Sequence, residues 1–361
     1  MPVSDSTRKA AMGLAVAGSC LLVAELGFRL WVGVFDDSLS QRIEKHRTFF
    51  APTADLPDIL YEPHPYWVYN ATSGQPGVNE WGFHFDDDVP LAKPENEIRI
   101  VCLGGSTTAG PQAWPWHLEQ QLNEGRSERV RVLNFGTGGW TSEESLVAFT
   151  LLGQSFSPDI VVVHHANNDI NPLIRADFRP DYAHFRKPIA IDRTDMGVMR
   201  VRLGLTHHAD AIAVRMSSLY VYSRLWLVGD IPTHYTLDGL STKDSSDLRP
   251  DVNQTAWTFD RNLRSIAAIA KSIGAEMAVS SIPRTESVEV NWADRLDRQN
   301  ERVVRLGRDE GWTTIPLHEM DLPRDVFEDP IHVSQEGEAL KATAIASALR
   351  PVLDRRLASL R

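Results

Sequence analysis

Short apolar runs alternate with amphipathic stretches along the chain from Ile98 onward. The apolar runs have the length and the aliphatic content of strands, whereas the stretches between them repeat apolar residues at helical spacing. Strands that alternate with helices pair in parallel, so this pattern predicts a doubly wound α/β sheet. The five predicted strands lie near residues 98–103, 129–134, 158–164, 275–281 and 312–316.

A long insertion separates the third and fourth predicted strands. More than 100 residues connect these two strands, far more than one crossover helix requires. We assign Asn171 to Asn253 to the insertion, with an apolar helix at 210–231 and a loop rich in Gly, Ser, Asp and Pro at 238–251. Its role is open between a lid over a pocket and a structural excursion.

The N-terminal stretch 10–34 is almost continuously apolar and predicts a single transmembrane anchor helix behind a short cytoplasmic tail, residues 1–9. Glu25 and Arg29 interrupt it four residues apart, on one face of the helix. A cleaved signal peptide is the alternative, although apolar residues continue past every candidate cleavage site. Residues 35–96 show no sustained period and predict an ordered extension that packs on the main domain.

The composition narrows the possible functions. The 361 residues are 42% hydrophobic and carry a formal net charge of −11. No segment concentrates the lysine and arginine that phosphate contacts require, so nucleic-acid binding is not expected. The two cysteines, Cys20 and Cys102, provide neither a disulfide framework nor a cysteine metal site. The acidic run Asp86–Asp88 is more typical of a solvated loop than of a calcium site, and we expect no metal or cofactor.

Three of the predicted strands end in small, hydrogen-bonding residues, namely Gly104–Thr108, Asn134–Gly139 and His164–Asp169. Ligands of parallel sheets bind beyond the carboxyl ends of the strands. Residues 105–110 have the glycine spacing of a phosphate-binding loop, but a proline and a glutamine follow where that loop needs lysine and serine or threonine. A serine nucleophile on the Gly-Gly-Ser turn is the remaining interpretation.

Ser106 can attack an acyl carbon if a base accepts its proton and a third group orients that base. Asp329 and His332 stand three residues apart in "EDPIHVSQEG", before a final helix that runs to about Leu353. This spacing lets His332 face Ser106 while Asp329 holds the other ring nitrogen. The order Ser, Asp, His also occurs in α/β-hydrolases, but their serine lies in G-x-S-x-G, and Thr108 occupies the last glycine position here.

Four sequence blocks resemble those of the SGNH, or GDSL-type, hydrolases, in the same order and over roughly residues 97–355. Ser106 lies in "LGGSTTAG", Gly139 in "NFGTGGWTS", Asn168 in "ANND", and His332 with Asp329 in "DPIHVS". The resemblance implies a flavodoxin-like, three-layer α/β/α fold with a parallel five-stranded sheet. It also implies that Ser106 is the nucleophile, His332 the base and Asp329 its partner. The oxyanion hole would consist of the Ser106 amide, the Gly139 amide and the Asn168 side chain.

Some positions depart from the pattern of that family. Gly105 stands where an aspartate is usual, and because that aspartate mainly supports the turn, its replacement is compatible with catalysis. Ala166 and Asn167 stand in the third block where glycines are common, which affects the shape of the oxyanion hole. His164 and His165 are expected to be packed or hydrogen-bonded strand residues, with lining of the substrate pocket as the alternative.

The membrane helix, followed by "VNEWGFHF" and the serine block, looks like bacterial membrane-anchored SGNH proteins, many of them associated with cell-surface polysaccharides. This resemblance implies a single-pass protein of the bacterial inner membrane whose catalytic domain faces the periplasm or exterior. The predicted activity is hydrolysis of acetyl or short acyl esters of a surface carbohydrate or lipid through an acyl-serine intermediate. Two alternatives stay open: an O-acyltransferase that uses the same serine, and a catalytically idle, membrane-tethered binding subunit. The identity of any membrane-protein partner is also open.

Overall fold

The computed structural model describes residues 5–50, 61–186, 212–228, 254–286 and 290–360. They belong to two compact units, here called the N-terminal unit, Met1–Ile59 with Ile191–Thr242, and the α/β unit, Leu60–Ala190 with Lys243–Arg361. The loop predicted at 238–251 and much of the rest of the insertion lie outside the described residues.

The α/β unit is built on a parallel five-stranded sheet, which confirms the predicted fold class. The sheet has the order β4-β3-β5-β6-β7, and every neighbouring pair of strands is parallel. Within the described residues the strands are β1 Tyr61–His64, β2 Val68–Ala71, β3 Glu97–Gly104, β4 Arg129–Asn134, β5 Ile160–His164, β6 Glu276–Ser280 and β7 Thr313–Ile315.

Helices cover both faces of this sheet. The helices used below are α1 Asp5–Phe35, α2 Asp37–Phe50, α3 Trp114–Asn123, α4 Ser142–Leu151, α5 Asn167–Leu173, α6 Ser218–Val228, α7 Trp257–Ser272, α8 Val290–Asp309 and α9 Gln335–Leu360. Alternate side chains of β3 point to opposite faces. Ile100 and Cys102 belong to one apolar core with α3 and α9, whereas Val101 and Leu103 belong to another with α4, α7 and α8.

An antiparallel hairpin, β1–β2, precedes the sheet in the same unit. Trp67 and Tyr69 of this hairpin region are buried in the core of one sheet face. Farther along, Asp86 and Asp88 form ion pairs with Arg131 of β4 at 2.6 and 3.3 Å. These ion pairs thus hold the acidic run Asp86–Asp88 against β4. Within the described residues no group of three or more His, Cys, Asp or Glu side chains is arranged to hold a metal ion.

In the N-terminal unit, α1 is followed at once by α2. The segment Ala15–Phe35 of α1 is long and apolar enough to cross a membrane, a test that signal sequences also pass. Helix α2 was not predicted from the sequence, because Leu39 and Ile43 are the only buried apolar residues among its described side chains and they stand in the otherwise polar segment 37–48. Within the extension predicted over 35–96, Asp37–Phe50 belongs to the N-terminal unit and residues 61–96 belong to the α/β unit.

The insertion predicted at 171–253 divides in the same way. Its described residues 171–186 belong to the α/β unit, and residues 212–228 belong to the N-terminal unit. The predicted apolar helix at 210–231 appears as a short helical segment at 212–216 followed by α6.

Candidate active site

β3 delivers Ser106 to the carboxyl edge of the sheet on a turn that two glycines make possible. The strand ends at Gly104, and the Gly105 carbonyl accepts the N–H of Thr108 at 3.0 Å. A Cβ atom on Gly104 would lie 2.1 Å from Thr108 Oγ1, and one on Gly105 would lie 2.5 Å from Asn168 Nδ2. Both distances are far below van der Waals contact, so a side chain at Gly104 would displace Thr108 and one at Gly105 would displace the amide of Asn168.

His332 approaches Ser106 from a short loop before α9. Its Nε2 lies 2.8 Å from Ser106 Oγ, and its Nδ1 lies 2.6 Å from Asp329 Oδ2. The other carboxylate oxygen of Asp329 accepts the backbone N–H groups of Ile331 and His332 at 2.9 and 2.8 Å. Asp329 therefore fixes both the ring and the backbone of His332.

The environment of Asp329 keeps it charged. Partial burial acts to raise its pKa, but the backbone N–H groups of His332 and Ile331 and the imidazole lower the pKa by more, and the net shift is downward. An ionised carboxylate at Nδ1 favours the tautomer that carries its hydrogen there. Nε2 is then an acceptor, ready to receive the proton of the Ser106 hydroxyl.

Potential donors for an oxyanion surround the same turn. Among the described residues, the backbone N–H groups of Ser106 and Gly139 donate to no protein acceptor. Asn168 Nδ2 donates to the Trp140 carbonyl at 2.8 Å, and because an amide carries two hydrogens, one remains for a ligand. Gly139 has φ +75°, and a Cβ there would lie 2.8 Å from Tyr69 Oη. Glycine is thus required in this loop for its backbone conformation as well as for space.

Asn134 connects the loop that carries Gly139, here called the Gly139 loop, to the turn Gly104–Thr108, which carries the predicted nucleophile Ser106 and is here called the nucleophile turn. Its Nδ2 donates to the carbonyls of Thr108 and Gly110 at 2.9 and 3.1 Å, and its Oδ1 accepts the N–H of Gly136 at 2.8 Å. A Cβ on Gly136 would lie 2.6 Å from the carbonyl carbon of Thr108. The two loops therefore pack backbone against backbone, and their relative position is fixed.

A buried ion pair that no sequence motif predicts supports the Gly139 loop. Arg186 Nε lies 2.5 Å from Glu144 Oε1, and Arg186 Nη2 donates to the Gly139 carbonyl at 2.7 Å. Glu144 also completes a capping box with Thr141 at the start of α4. The spacing of Thr141 and Glu144 is a recognisable helix-start signal, but no local pattern indicates that a distant arginine pairs with this glutamate.

A second missed pair joins α9 to the nucleophile turn. Lys341 Nζ donates to the Thr107 carbonyl at 2.9 Å and lies 3.0 Å from the carboxylate of Glu338, which accepts the Trp114 N–H at 2.8 Å. Burial lowers the pKa of Lys341, and the neighbouring Glu338 offsets part of that shift. In the sequence this pair looks like an ordinary surface pair three residues apart.

A small cleft of about 190 Å³, including its open mouth, lies beside Ser106. His164 Nδ1 lies 2.6 Å from Ser280 Oγ, and His165 Nε2 lies 2.8 Å from Ser145 Oγ. Burial lowers the pKa of His165 to about 4, so this ring is neutral at neutral pH. The two histidines are therefore hydrogen-bonded, as expected, and they also line the cleft. The lining residues are Gly105, Ser106, Thr107, His164, His165, Ala166, Asn167, Asn168 and Ile282.

The chain was compared with known protein sequences and structures. No curated protein sequence matches the chain. Among solved structures it is similar to TesA, with 15% identity, a TM-score of 0.40 and coverage of 70% of this chain and 99% of that one. It is also similar to a GDSL-like lipase from Bacteroides thetaiotaomicron, with 14% identity, a TM-score of 0.39 and coverage of 73% and 92%. The acetyl xylan esterase AlAXEase shows 11% identity, a TM-score of 0.42 and coverage of 70% and 100%.

A family model gives the assignment. The model of the GDSL-like lipase/acylhydrolase family matches residues 102–340, well over half of the chain. The match includes Ser106, Asn168 and the loop that carries His332. The chain therefore belongs to the GDSL-like lipase/acylhydrolase family, a family of serine ester hydrolases.

Proposed function

We propose that the protein is a serine esterase that hydrolyses short acyl esters through an acyl-serine intermediate. The observation that carries this proposal is the chain of two short contacts, 2.8 Å from Ser106 Oγ to His332 Nε2 and 2.6 Å from His332 Nδ1 to Asp329 Oδ2. A hydroxyl, an imidazole and a carboxylate in this arrangement form a nucleophile with its base and the group that orients the base.

The reaction follows from these positions. His332 Nε2 accepts the proton of Ser106 as Oγ bonds to the carbonyl carbon of the ester, and Asp329 stabilises the imidazolium. The N–H groups of Ser106 and Gly139 and the side chain of Asn168 stabilise the oxyanion. The imidazolium then protonates the departing alcohol, and the acyl group stays on Ser106. Water, deprotonated by His332, attacks the acyl-serine, and His332 returns the proton to Ser106 Oγ as the bond to the acyl carbon breaks and the acid leaves.

Hydrolysis requires water at the acyl-serine. The side chains of His332 and Asp329 retain 30% and 47% of their exposure, so this side of the site is open to solvent. The small size of the cleft beside Ser106 supports an acetyl or other short acyl group over a long chain. We assign the alcohol part to a cell-surface carbohydrate or lipid.

We further propose that α1 anchors the enzyme in the bacterial inner membrane, with residues 10–34 in the bilayer and residues 1–9 on the cytoplasmic side. The apolar side chains of Leu21, Leu26 and Leu30 are exposed on this helix, and a bilayer is the solvent that suits such a surface. The α/β unit would then act on its substrate in the periplasm or outside the cell.

The test uses the full chain in detergent and nitrophenyl esters of increasing acyl length. We expect turnover of acetyl and butyryl esters, a decline for longer acyl chains, and loss of turnover in Ser106→Ala. The exposed Ser127→Ala serves as the matched control and should keep full activity. A serine-reactive phosphonate should add its mass to the peptide that contains Ser106. Turnover that survives Ser106→Ala, or a phosphonate on another serine, would contradict the proposal.

A further inference from the structure

Helix α6 of the insertion packs against the apolar helix α1 within the N-terminal unit. The rings of Phe28 and Tyr222 lie 5.3 Å apart, so neighbouring turns of the two helices touch. A small apolar cluster joins α6 to both α1 and α2. Its buried members are Val32, Leu39, Ile43, Val214, Val221 and Leu225.

Glu25, which interrupts the apolar sequence of α1, is satisfied by the start of α6. Its carboxylate accepts Ser217 Oγ at 2.9 Å and the backbone N–H groups of Ser218 and Leu219 at 2.5 and 3.1 Å. Arg29 Nε donates to the same carboxylate at 2.6 Å. The first N–H groups of a helix form its positive end, so α6 supplies both hydrogen bonds and a favourable dipole to this charge.

The outer face of this segment exposes several large apolar side chains, alongside the exposed polar residues Arg215 and Ser223. Trp226 and Leu227 are 79% and 74% exposed, and Ile212 and Met216 are also largely exposed. Large apolar side chains in such a concentration mark a surface that is covered by a partner. The exposed leucines of α1 belong to the same unit, so one environment can cover both helices.

The helix lengths match the thickness of a bilayer. Glu25 stands at the centre of the 21-residue segment Ala15–Phe35, about 15 Å from either end at 1.5 Å per residue. Helix α6 has 11 residues and is about 16 Å long. The hydrocarbon core of a bilayer is about 30 Å thick. A helix that starts beside Glu25 at the centre therefore ends near the membrane surface.

We propose that residues 212–228 are embedded in the lipid bilayer as a half-spanning segment docked on α1 at Glu25, with lipid acyl chains covering Trp226 and Leu227. This inference rests on the proposed membrane anchor. It explains why an ionisable side chain is tolerated in α1, since intramembrane carboxylates require partners. Half-helices whose N-termini face an anionic group at the midplane are a known solution to this requirement. The described part of the insertion then has a role in membrane attachment.

The test places nitroxide labels on the full chain in phosphatidylethanolamine and phosphatidylglycerol vesicles. Single cysteines are introduced as Leu227→Cys and, for comparison, Leu30→Cys in α1 and Leu151→Cys, an exposed leucine of the α/β unit. The background is Cys20→Ala with Cys102→Ala. Collisions with oxygen, which partitions into lipid, are compared with collisions with a water-soluble nickel chelate. We expect the label at 227 to favour oxygen as the label at 30 does, and the label at 151 to favour nickel.

Each other outcome overturns a defined part of the proposal. A label at 227 that resembles 151 while the label at 30 favours oxygen leaves the anchor intact and overturns the half-spanning segment. A label at 30 that favours nickel overturns the anchor itself. A label at 227 that neither reagent reaches reveals a protein on this face, such as a second copy of the chain, and overturns lipid as its occupant.

A second variant tests the docking at Glu25. Glu25→Leu makes α1 more apolar and retains the anchor, but it removes the acceptor for the start of α6. We expect the label at 227 to lose at least half of its preference for oxygen, whereas the matched change Ser19→Leu on α1 leaves it unchanged. An unaltered profile in Glu25→Leu would overturn the docking of α6 at this residue.

Discussion

In the proposed mechanism the proton of Ser106 passes to His332, which Asp329 orients, so the contributions of these residues to turnover depend on one another. Without His332 the Ser106 hydroxyl has no base to accept its proton, and without Ser106 the imidazole of His332 has no nucleophile to activate. Asn168 stands outside this path, because its amide acts only on the charge that develops on the substrate oxygen.

Substitutions at these positions should therefore have graded effects on kcat. We expect Ser106→Ala and His332→Ala to lower kcat by on the order of 10⁶-fold each, and the double variant to be no worse than either one. Asn168→Ala removes a single oxyanion donor and should cost about 10²- to 10³-fold. Steady-state kinetics on a short acyl ester measure the series. Additive effects of the first two substitutions would contradict the shared proton path.

Asp169, next to Asn168, predicts a pH dependence of stability. Its buried carboxylate accepts the N–H and the hydroxyl of Ser142. Burial raises its pKa to about 7 against the lowering effect of these hydrogen bonds. The folded protein then holds a proton that the unfolded chain loses above its ordinary pKa of 3.8. The contribution of Asp169 to the free energy of unfolding therefore falls as the pH rises from about 4 to about 7 and is constant above that range.

Asp169→Asn cannot titrate, so it should remove this contribution to the slope. We expect the decline of Tm between about pH 4 and pH 7 to be smaller in the variant than in the parent protein, whatever the absolute difference in Tm. Asp309→Asn, at an exposed position, is the control and should leave the slope as it is. Thermal unfolding followed by circular dichroism provides the measurement, and equal slopes for Asp169→Asn and the parent would show that Asp169 does not hold the proton.

At the scale of elements, the sequence predicts structure well where the information is local. Each end of the five sheet strands lies within two residues of its predicted position, because a buried strand is an apolar run bounded by turn residues. The sequence blocks that carry Ser106, Gly139 and Asn168 follow the ends of β3, β4 and β5. The carboxyl ends of parallel strands meet at one edge of the sheet, so the topology brings these blocks together. The turn that places Asp329 against His332 is likewise contained within four residues.

The rest could not be predicted because its determinants are distant in sequence. Two buried contacts join distant segments: Arg186 pairs with Glu144, 42 residues away, and Lys341 with the Thr107 carbonyl, 234 residues away. No periodic pattern in the sequence indicates either contact. Helix α2 was not predicted because Leu39 and Ile43 form too short an apolar pattern to indicate a helix. They are buried in a cluster with α6, which is distant in sequence. The partner of Glu25 lies 193 residues away, in an insertion that was interpreted only as a lid or an excursion.

Helix α9 is attached to the nucleophile turn by Lys341, and this attachment can be tested. Lys341→Met leaves the Thr107 carbonyl and the Glu338 carboxylate buried without their cation. We expect a loss of about 3 kcal/mol in the free energy of unfolding, the typical cost of removing one member of a buried pair. The exposed Lys271→Met should change stability little. Denaturant titration compares the variants, and a loss no greater than that of Lys271→Met would refute a supporting role for Lys341.

At the scale of the whole molecule, the division into two units predicts how the protein can be shortened. Removing residues 1–35 alone leaves Val214, Val221 and Leu225 without the α1 surface that buries them. Removing the entire N-terminal unit, with Ala190 joined to Lys243, leaves the α/β unit with its two cores complete. The two truncations should therefore behave differently in water.

We expect the full chain to stay in the membrane pellet after an alkaline wash. The variant without residues 1–35 should remain in the pellet or aggregate, whereas the variant without the entire unit should be soluble and retain turnover of short esters. Fractionation followed by an esterase assay distinguishes these results. A soluble, monodisperse protein after removal of residues 1–35 alone would contradict an apolar role for α6.

The hydrogen bond between His332 and Ser106 joins positions 226 residues apart, and this separation has a consequence for biosynthesis. A chain emerging from the ribosome or the translocation channel exposes its serine long before the imidazole arrives. Contacts between such remote positions form late, because the intervening chain must first be ordered. The nascent protein is consequently inert toward the esters around it, and hydrolysis begins only when the final loop and helix have closed onto the sheet. Catalytic competence therefore indicates that the chain has been synthesised through α9 and that the α/β unit has folded.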